Sequence, residues 1–176
     1  MPGAGPVSDL PPVWLLDVDG VVNANKPGWG TPMRRAMAYA EGAGWPMRWA
    51  PQLLDRIRHL HTADLVEVRW CTTWCAYADQ FERMWRLPEL GRAFTEPLNG
   101  IAADVAKLAA ARAVLNVEGR RLIWTDDTVV PCPTDQADLH AELAADGRAL
   151  LIRPRLKRGL QPADLDLIEA FCNRQL

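Results

Sequence analysis

Four short apolar runs, VWLLDV from Val13, LVEVRWC from Leu65, RLIWTD from Arg121 and ALLI from Ala149, alternate along the chain with stretches of helical pattern. PQLLDRIRHLH follows from Pro51, and a helical stretch surrounds CAYADQFERMW. ADVAKLAAARAVL covers Ala103 to Leu115, TDQADLHAELAADG starts at Thr134, and PADLDLIEAFC closes the series. Strand and helix in alternation predict an α/β fold, a Rossmann-like mostly parallel sheet with helices on both faces. Pro51 and Pro162 suit first-turn positions, where the missing N–H costs nothing. Gly147 stands where a helix would end.

One segment breaks the alternation. Between Asn23 and Ala50 the chain is glycine-rich and carries Trp29, Trp45 and Trp49, and RRAMAYAEGAGWPMRWA reads as a small β-hairpin after the first strand, turning near Glu41 to Gly44. It is either a flap over a site or a packed excursion. With 176 residues the chain is long enough for one core and short for two. We therefore expect a flexible lead-in over residues 1–12 and a single domain over 13–176, with the flap insertion at about 23–50.

Hydrophobic residues make up 49% and charged residues 24% of the chain, the balance of a globular protein. A net charge of -2 demands neither nucleic acid nor an anionic membrane as partner, so any basic site must be local. RPRLKRG, Arg153 to Gly159, is such a run; it is either a solvated loop or a surface for a polyanionic substrate. No apolar stretch approaches the roughly 20 residues of a membrane helix, and the N-terminus lacks a signal-peptide pattern, which leads us to expect a cytoplasmic protein with no membrane partner. Cys71, Cys75, Cys132 and Cys172, with His59, His61 and His140, lack zinc-site spacing and are expected to be reduced thiols and ordinary histidines.

In open α/β sheets ligands bind at the carboxyl ends of the strands. The first strand ends in Asp17 and Asp19, the second in Cys71, Thr72, Thr73 and Trp74, and the RLIWTDD strand in Asp126 and Asp127. Parallel neighbours would bring these tips together. Clustered carboxylates repel unless a cation neutralises them, and an all-oxygen set suits Mg²⁺.

These residues resemble the haloacid dehalogenase (HAD) superfamily. LLDVDGVV, Leu15 to Val22, is similar to its first motif, a strand followed by Asp-x-Asp-Gly. VRWCTTW is similar to its second and LIWTDD to its fourth, with Lys107 between them in the place of the third-motif lysine. The likeness runs from Val13 to about Phe171 and implies a small capless phosphatase-like member, since both usual cap locations are too short for a large cap.

The resemblance implies roles. Asp17 would attack a phosphoryl group and carry it as an aspartyl-phosphate. Asp19 would act as general acid and then base. Thr72, preferred over Thr73 because it directly follows the apolar strand, would bond a phosphoryl oxygen. Lys107 would offset charge, and Gly20 and Thr73 would border the substrate. Asp17, the backbone carbonyl of Asp19, and either Asp126 or Asp127, with Asp127 preferred, would hold Mg²⁺.

The implied activity is that of a Mg²⁺-dependent phosphomonoester hydrolase, with nucleic-acid ends or nucleotides among its candidate substrates. A non-catalytic binding or scaffold module is the competing expectation. A hydrolytic dehalogenase fits less well, because it needs neither Asp19 nor magnesium. Trp14, Trp70 and Trp124 read as core, whereas Trp29, Trp45, Trp49 and Trp74 lie nearer the inferred mouth, where they either pack the flap or stack on a base or sugar.

Overall fold

The computed structural model describes residues 10–174. Five strands form one parallel sheet in the order β5-β4-β1-β6-β7: β1 is Val13–Leu16, β4 Glu67–Trp70, β5 Gly91–Arg92, β6 Leu122–Thr125 and β7 Ala149–Ile152. A separate antiparallel pair joins β2 (Arg34–Ala40) to β3 (Ala43–Trp49). The helices are α1 (Pro51–Thr62), α2 (Asp79–Trp85), α3 (Gly100–Arg112), α4 (Ala137–Ala144) and α5 (Pro162–Cys172). The arrangement is α/β and compatible with a Rossmann-like fold, with the hairpin as an antiparallel addition.

β1 is short and wholly buried because it lies at the centre of the sheet. Alternate side chains of a strand face opposite ways. Trp14 and Leu16 join a core with α1, α2, α5 and the base of the hairpin; Val13 and Leu15 join a second core with Ala111 of α3 and Leu143 of α4. Helices therefore cover both faces. Trp14, Trp70 and Trp124 are fully buried, and Trp70, Phe81 and Trp85 form an aromatic cluster in which Phe81 and Trp85 stack at 4.7 Å. Trp49 belongs to this core against Trp85, and Trp29 donates to the Leu160 carbonyl, so of the four mouth candidates only Trp45 and Trp74 line a cleft that Asp19 also lines.

Local chemistry sets the element ends. Pro51 starts α1 and Pro162 starts α5, where Gln161 and Asp164 form a reciprocal capping box. α2 stops at Arg86 in the left-handed region, φ 52°. The helix anticipated from Thr134 begins at Ala137, because the amides of Asp135 and Gln136 are turned back onto the Cys132 carbonyl. CAYADQFERMW divides into a short 3₁₀ turn, Cys75–Tyr77, and α2. α3 runs on into a π-helical turn, Ala113–Val117. β5 has two residues, too few for any periodic signal.

Of the expected lead-in, residues 1–9 lie outside the described residues. Pro11 and Pro12 are fastened: the Pro11 carbonyl accepts from the Arg120 guanidinium and the Pro12 carbonyl from the Glu67 amide. The hairpin is anchored as well. Its inner residues Ala38 and Met47 are buried, and Gln80 of α2 bonds both the amide and the carbonyl of Tyr39. Among the described residues no helix is long and apolar enough to cross a membrane, and all four cysteines are free.

Candidate active site

Register brings the strand tips together. Leu16 of β1 pairs with Trp70 of β4 on one side and Thr125 of β6 on the other, so the residues just beyond, Asp17, Cys71–Thr72 and Asp126, leave the sheet side by side. The Asp17 amide still donates to the Thr125 carbonyl, at 3.2 Å, and the Cys71 amide to the Leu16 carbonyl, at 2.9 Å. Asp17 is thus fixed by the last rungs of the central strand.

Beyond it the chain winds tightly on one acceptor. The amides of Val21, Val22 and Asn23 all donate to the Val18 carbonyl, and the Gly20 amide donates to that of Asn23. Gly20 takes φ +71°, and a β-carbon there would sit 2.3 Å from Cγ and Oδ2 of Asp127. The resemblance implies that Gly20 borders the substrate; in the structure its missing side chain also makes room for Asp127.

Lys107 makes the ion pairs of the site. Ala103, Lys107 and Ala111 recur every four residues on the buried face of α3. The lysine ammonium lies 2.8 Å from Asp17 Oδ2 and 2.6 Å from Asp126 Oδ2, all three side chains being buried. Asp126 Oδ1 accepts from the amides of Thr128 and Val129 and from the Thr128 hydroxyl. Asp17 Oδ1 accepts from the Val18 amide at 2.7 Å.

These environments separate the three acids. Burial pushes the Asp17 carboxyl well above its ordinary range, the Asp126 charge adds to this, and Lys107 opposes it. Burial also acts on Asp126, but Lys107 and the hydrogen bonds outweigh it and hold that group below the ordinary range. Asp127, half-buried, is pushed up to about 6 by desolvation and by the charges of Asp126 and Asp19. Burial lowers the Lys107 value, yet the two carboxylates prevail and raise it, so the ammonium keeps its charge.

One ammonium faces three carboxylates, which is more negative charge than it balances. Ligand oxygens of Asp17, Asp126 and Asp127 lie within 4.8 Å of one another, and the group could hold a metal ion. A hard divalent cation fits this all-oxygen set. Because Asp126 is already enclosed by Lys107 and three local donors, Asp127 is the freer ligand.

Asp19 stands apart from this cluster. Exposed at the mouth, it accepts from Trp74 Nε1 at 2.8 Å and from Asn23 Nδ2 at 2.7 Å. Asn23 is itself held by the Arg48 amide at 2.8 Å. Thr72 is fully buried at the β4 tip, its hydroxyl accepting from the Trp74 amide at 3.3 Å, while Thr73 lines the cleft that Asp19 borders. Sequence reasoning missed Asn23 and the clasp made by Thr128 and Val129. An Asn four residues after Asp19 in a tight turn was the available signal for the first.

That cleft, of about 340 Å³, lies between the hairpin tip (Ala40, Glu41, Ala43, Trp45) and Thr73, Trp74, Tyr77, Pro97 and Asn99. A second, of about 290 Å³, shares Asp19, Trp45 and Trp74 and continues past Asn25, Arg48 and Leu156. The hairpin is thus both packed at its base and a wall of the site at its tip. No family model, no curated protein and no solved structure matches this chain.

Proposed function

We propose that this protein is a Mg²⁺-dependent phosphomonoester hydrolase of HAD type that works through an aspartyl-phosphate on Asp17. The observation that carries this reading is the Lys107 ammonium bridging Asp17 and Asp126 at the rim of the sheet, with Asp127 beside them. A buried carboxylate with a fixed positive neighbour, and without a side-chain role in the core, is the arrangement a carboxylate nucleophile needs.

In the first step an Asp17 carboxylate oxygen forms a bond to phosphorus while the bond from phosphorus to the leaving oxygen breaks. Asp19, held by Trp74 and Asn23, gives that oxygen its proton. In the second step Asp19 takes a proton from water as the water oxygen bonds to phosphorus, and the acyl phosphate bond breaks to return Asp17 and release phosphate. Lys107 stays charged throughout and stabilises the negative oxygens. The Thr72 hydroxyl, at the adjacent tip, would donate its hydrogen to a phosphoryl oxygen while still accepting from the Trp74 amide. Asp17, Asp127 and the Asp19 carbonyl would hold Mg²⁺, which when bound would supply positive charge to the phosphoryl oxygens.

Phosphate release from an aryl phosphate, measured with Mg²⁺, with chelator, and with Asp17→Asn, tests this. Turnover that needs both the metal and Asp17 is expected. Absence of metal-dependent turnover over a broad panel of phosphate esters would leave the binding-module reading in its place.

A further inference from the structure

The cations of this chain are unevenly matched. Among the described residues Arg56, Arg69, Arg112, Arg120 and Arg148 are held in ion pairs, whereas Arg34, Arg35 and Arg86 are in none. Those three line a single cavity of about 480 Å³ together with Arg58, at the base of the hairpin beside α1 and the end of α2. Asp55 is the only acid among its lining residues, and it is bonded to Arg58 at 2.7 Å. Four guanidiniums therefore face one carboxylate that is already engaged.

The sequence scatters these arginines and the fold gathers them. Arg34 and Arg35 open β2, Arg58 lies on α1, and Arg86 follows α2. Arg58 is fixed in place by the protein itself. Its guanidinium donates to the Arg86 carbonyl at 2.7 Å and to the Trp85 carbonyl at 2.9 Å, acceptors left over where α2 ends. Arg34, Arg35 and Arg86 are exposed, while Trp49, Leu54 and Trp85 give the cavity a buried apolar wall. Charges of one sign over a wall of low dielectric focus their field into the cavity.

A neighbouring cavity of about 600 Å³ extends the groove. It shares Arg34, Arg35 and Pro51, adds Gln52, and has no acid in its lining. Pro51 and Gln52 begin α1, whose N-terminus carries neither a side-chain cap nor an acid in its first turn. The positive end of that helix adds to the arginines. No residue of either cavity lines the two clefts that Asp19 borders, so the groove is separate from the candidate active site.

We propose that this groove binds a small anion or molecule that carries two or more linked phosphoryl groups. The assignment does not depend on the phosphatase reading. A terminal phosphoryl group brings up to about two negative charges and three acceptor oxygens, where a carboxylate brings one charge. Guanidinium forks match such oxygens in pairs. A linked pair of groups answers the unmatched arginines together and follows the groove from one cavity into the next.

Isothermal titration calorimetry in the presence of chelator, which keeps metal from the carboxylate cluster, tests this with tripolyphosphate, ADP, inorganic phosphate and citrate as probes. Saturable one-to-one binding of tripolyphosphate is expected, with inorganic phosphate and citrate weaker by at least about tenfold. ADP equal to tripolyphosphate would mark the phosphoryl chain as the whole ligand, and tighter binding of ADP would add its organic part. Arg34→Gln/Arg86→Gln should weaken tripolyphosphate binding by about tenfold for each guanidinium removed. Its unfolding midpoint should stay near that of the parent, since neither side chain has an ion-pair partner among the described residues. Asp17→Asn should bind tripolyphosphate as the wild type does.

Absence of saturable binding at low ionic strength, or binding that the double arginine variant leaves unchanged, would overturn the inference. Loss of binding in Asp17→Asn would place the ligand at the strand tips and overturn it too. Citrate bound as tightly as tripolyphosphate would remove the phosphoryl assignment. Binding of a short oligonucleotide with none of tripolyphosphate or ADP would show a nucleic-acid surface instead. Each of these results leaves the phosphatase reading to its own turnover assay.

Discussion

The α-carbon of Gly20 lies against the Asp127 carboxylate so closely that a single added methyl would come to 2.3 Å of its Cγ and Oδ2. Gly20→Ala must displace Asp127, and it also places a β-carbon at φ +71°, a cost of about 1–2 kcal/mol. We expect Mg²⁺ dependence of turnover to shift to about tenfold higher metal and the unfolding midpoint to drop by a few degrees. A metal titration that overlays wild type would show that Asp127 is not a ligand.

Lys107 is the only positive side chain bonded to Asp17 and Asp126 among the described residues. Lys107→Met leaves two buried carboxylates unbalanced and should cost about 3–5 kcal/mol at neutral pH. Burial and mutual repulsion would then hold their folded values above the unfolded ones, so protonation favours the folded state and part of the loss returns on acidification. Urea unfolding at about pH 7 and about pH 5 measures both effects. A stability unchanged at neutral pH would mean that the bridge is not formed.

The Asp127 carboxyl, pushed up to about 6 by burial first and neighbouring charge second, makes metal binding sensitive to mildly acid pH. Its folded value lies above the unfolded one, so in metal-free protein ionisation opposes folding above about pH 6 and that penalty fades as pH falls. Mg²⁺ binds the ionised form. The rise in unfolding temperature on adding Mg²⁺ should be larger at about pH 7.5 than at about pH 5, and Asp127→Asn should abolish the difference.

Trp74 donates to the carboxylate that would protonate the leaving group. Trp74→Phe keeps the ring and removes only the N–H. For an ester of a poorly acidic alcohol, which needs the proton, kcat should fall about tenfold, or about 1.4 kcal/mol, with KM little changed. An aryl phosphate, whose leaving group departs without help, should be much less affected. Equal losses on both esters would point to a packing role alone.

Away from the site, Arg69 and Arg120 clamp Glu67 and Glu118. Burial raises the Glu67 carboxyl, but the arginine hydrogen bonds overcome it and hold it below its usual 4.5; Glu118 is held low chiefly by the Arg69 hydrogen bond. Folded values below unfolded ones mean stability that is complete above about pH 4.5 and lost as pH falls through the folded values. Glu118→Gln should flatten the acid limb of a stability-against-pH curve. An unaltered limb would show that the clamp does not contribute.

How much of this could be read from the amino-acid order differs by element. The alternation of apolar runs and helical stretches, the buried tryptophans of the strands, and the turn residues Glu41 and Gly42 of the hairpin are local signals, because side-chain period and turn chemistry act over a few residues. They were enough for an α/β sheet with a hairpin outside it. Asp17, Asp126 and Asp127 were also visible, as acids set directly after apolar runs.

What the order of residues left open was decided by contacts across long separations. Lys107 is 90 residues from Asp17, and nothing local distinguishes it from a solvated helix lysine; only the packing of the buried face of α3 in the folded chain puts its ammonium between two carboxylates. The same holds for the choice between the paired acids, since Asp126 turns inward to Lys107 and three local donors while Gly20 admits Asp127 at the mouth. Periodicity fixes which face of an element is buried, but electrostatic environment depends on which charges the folded chain brings within a few ångströms, and that is a property of the tertiary structure alone.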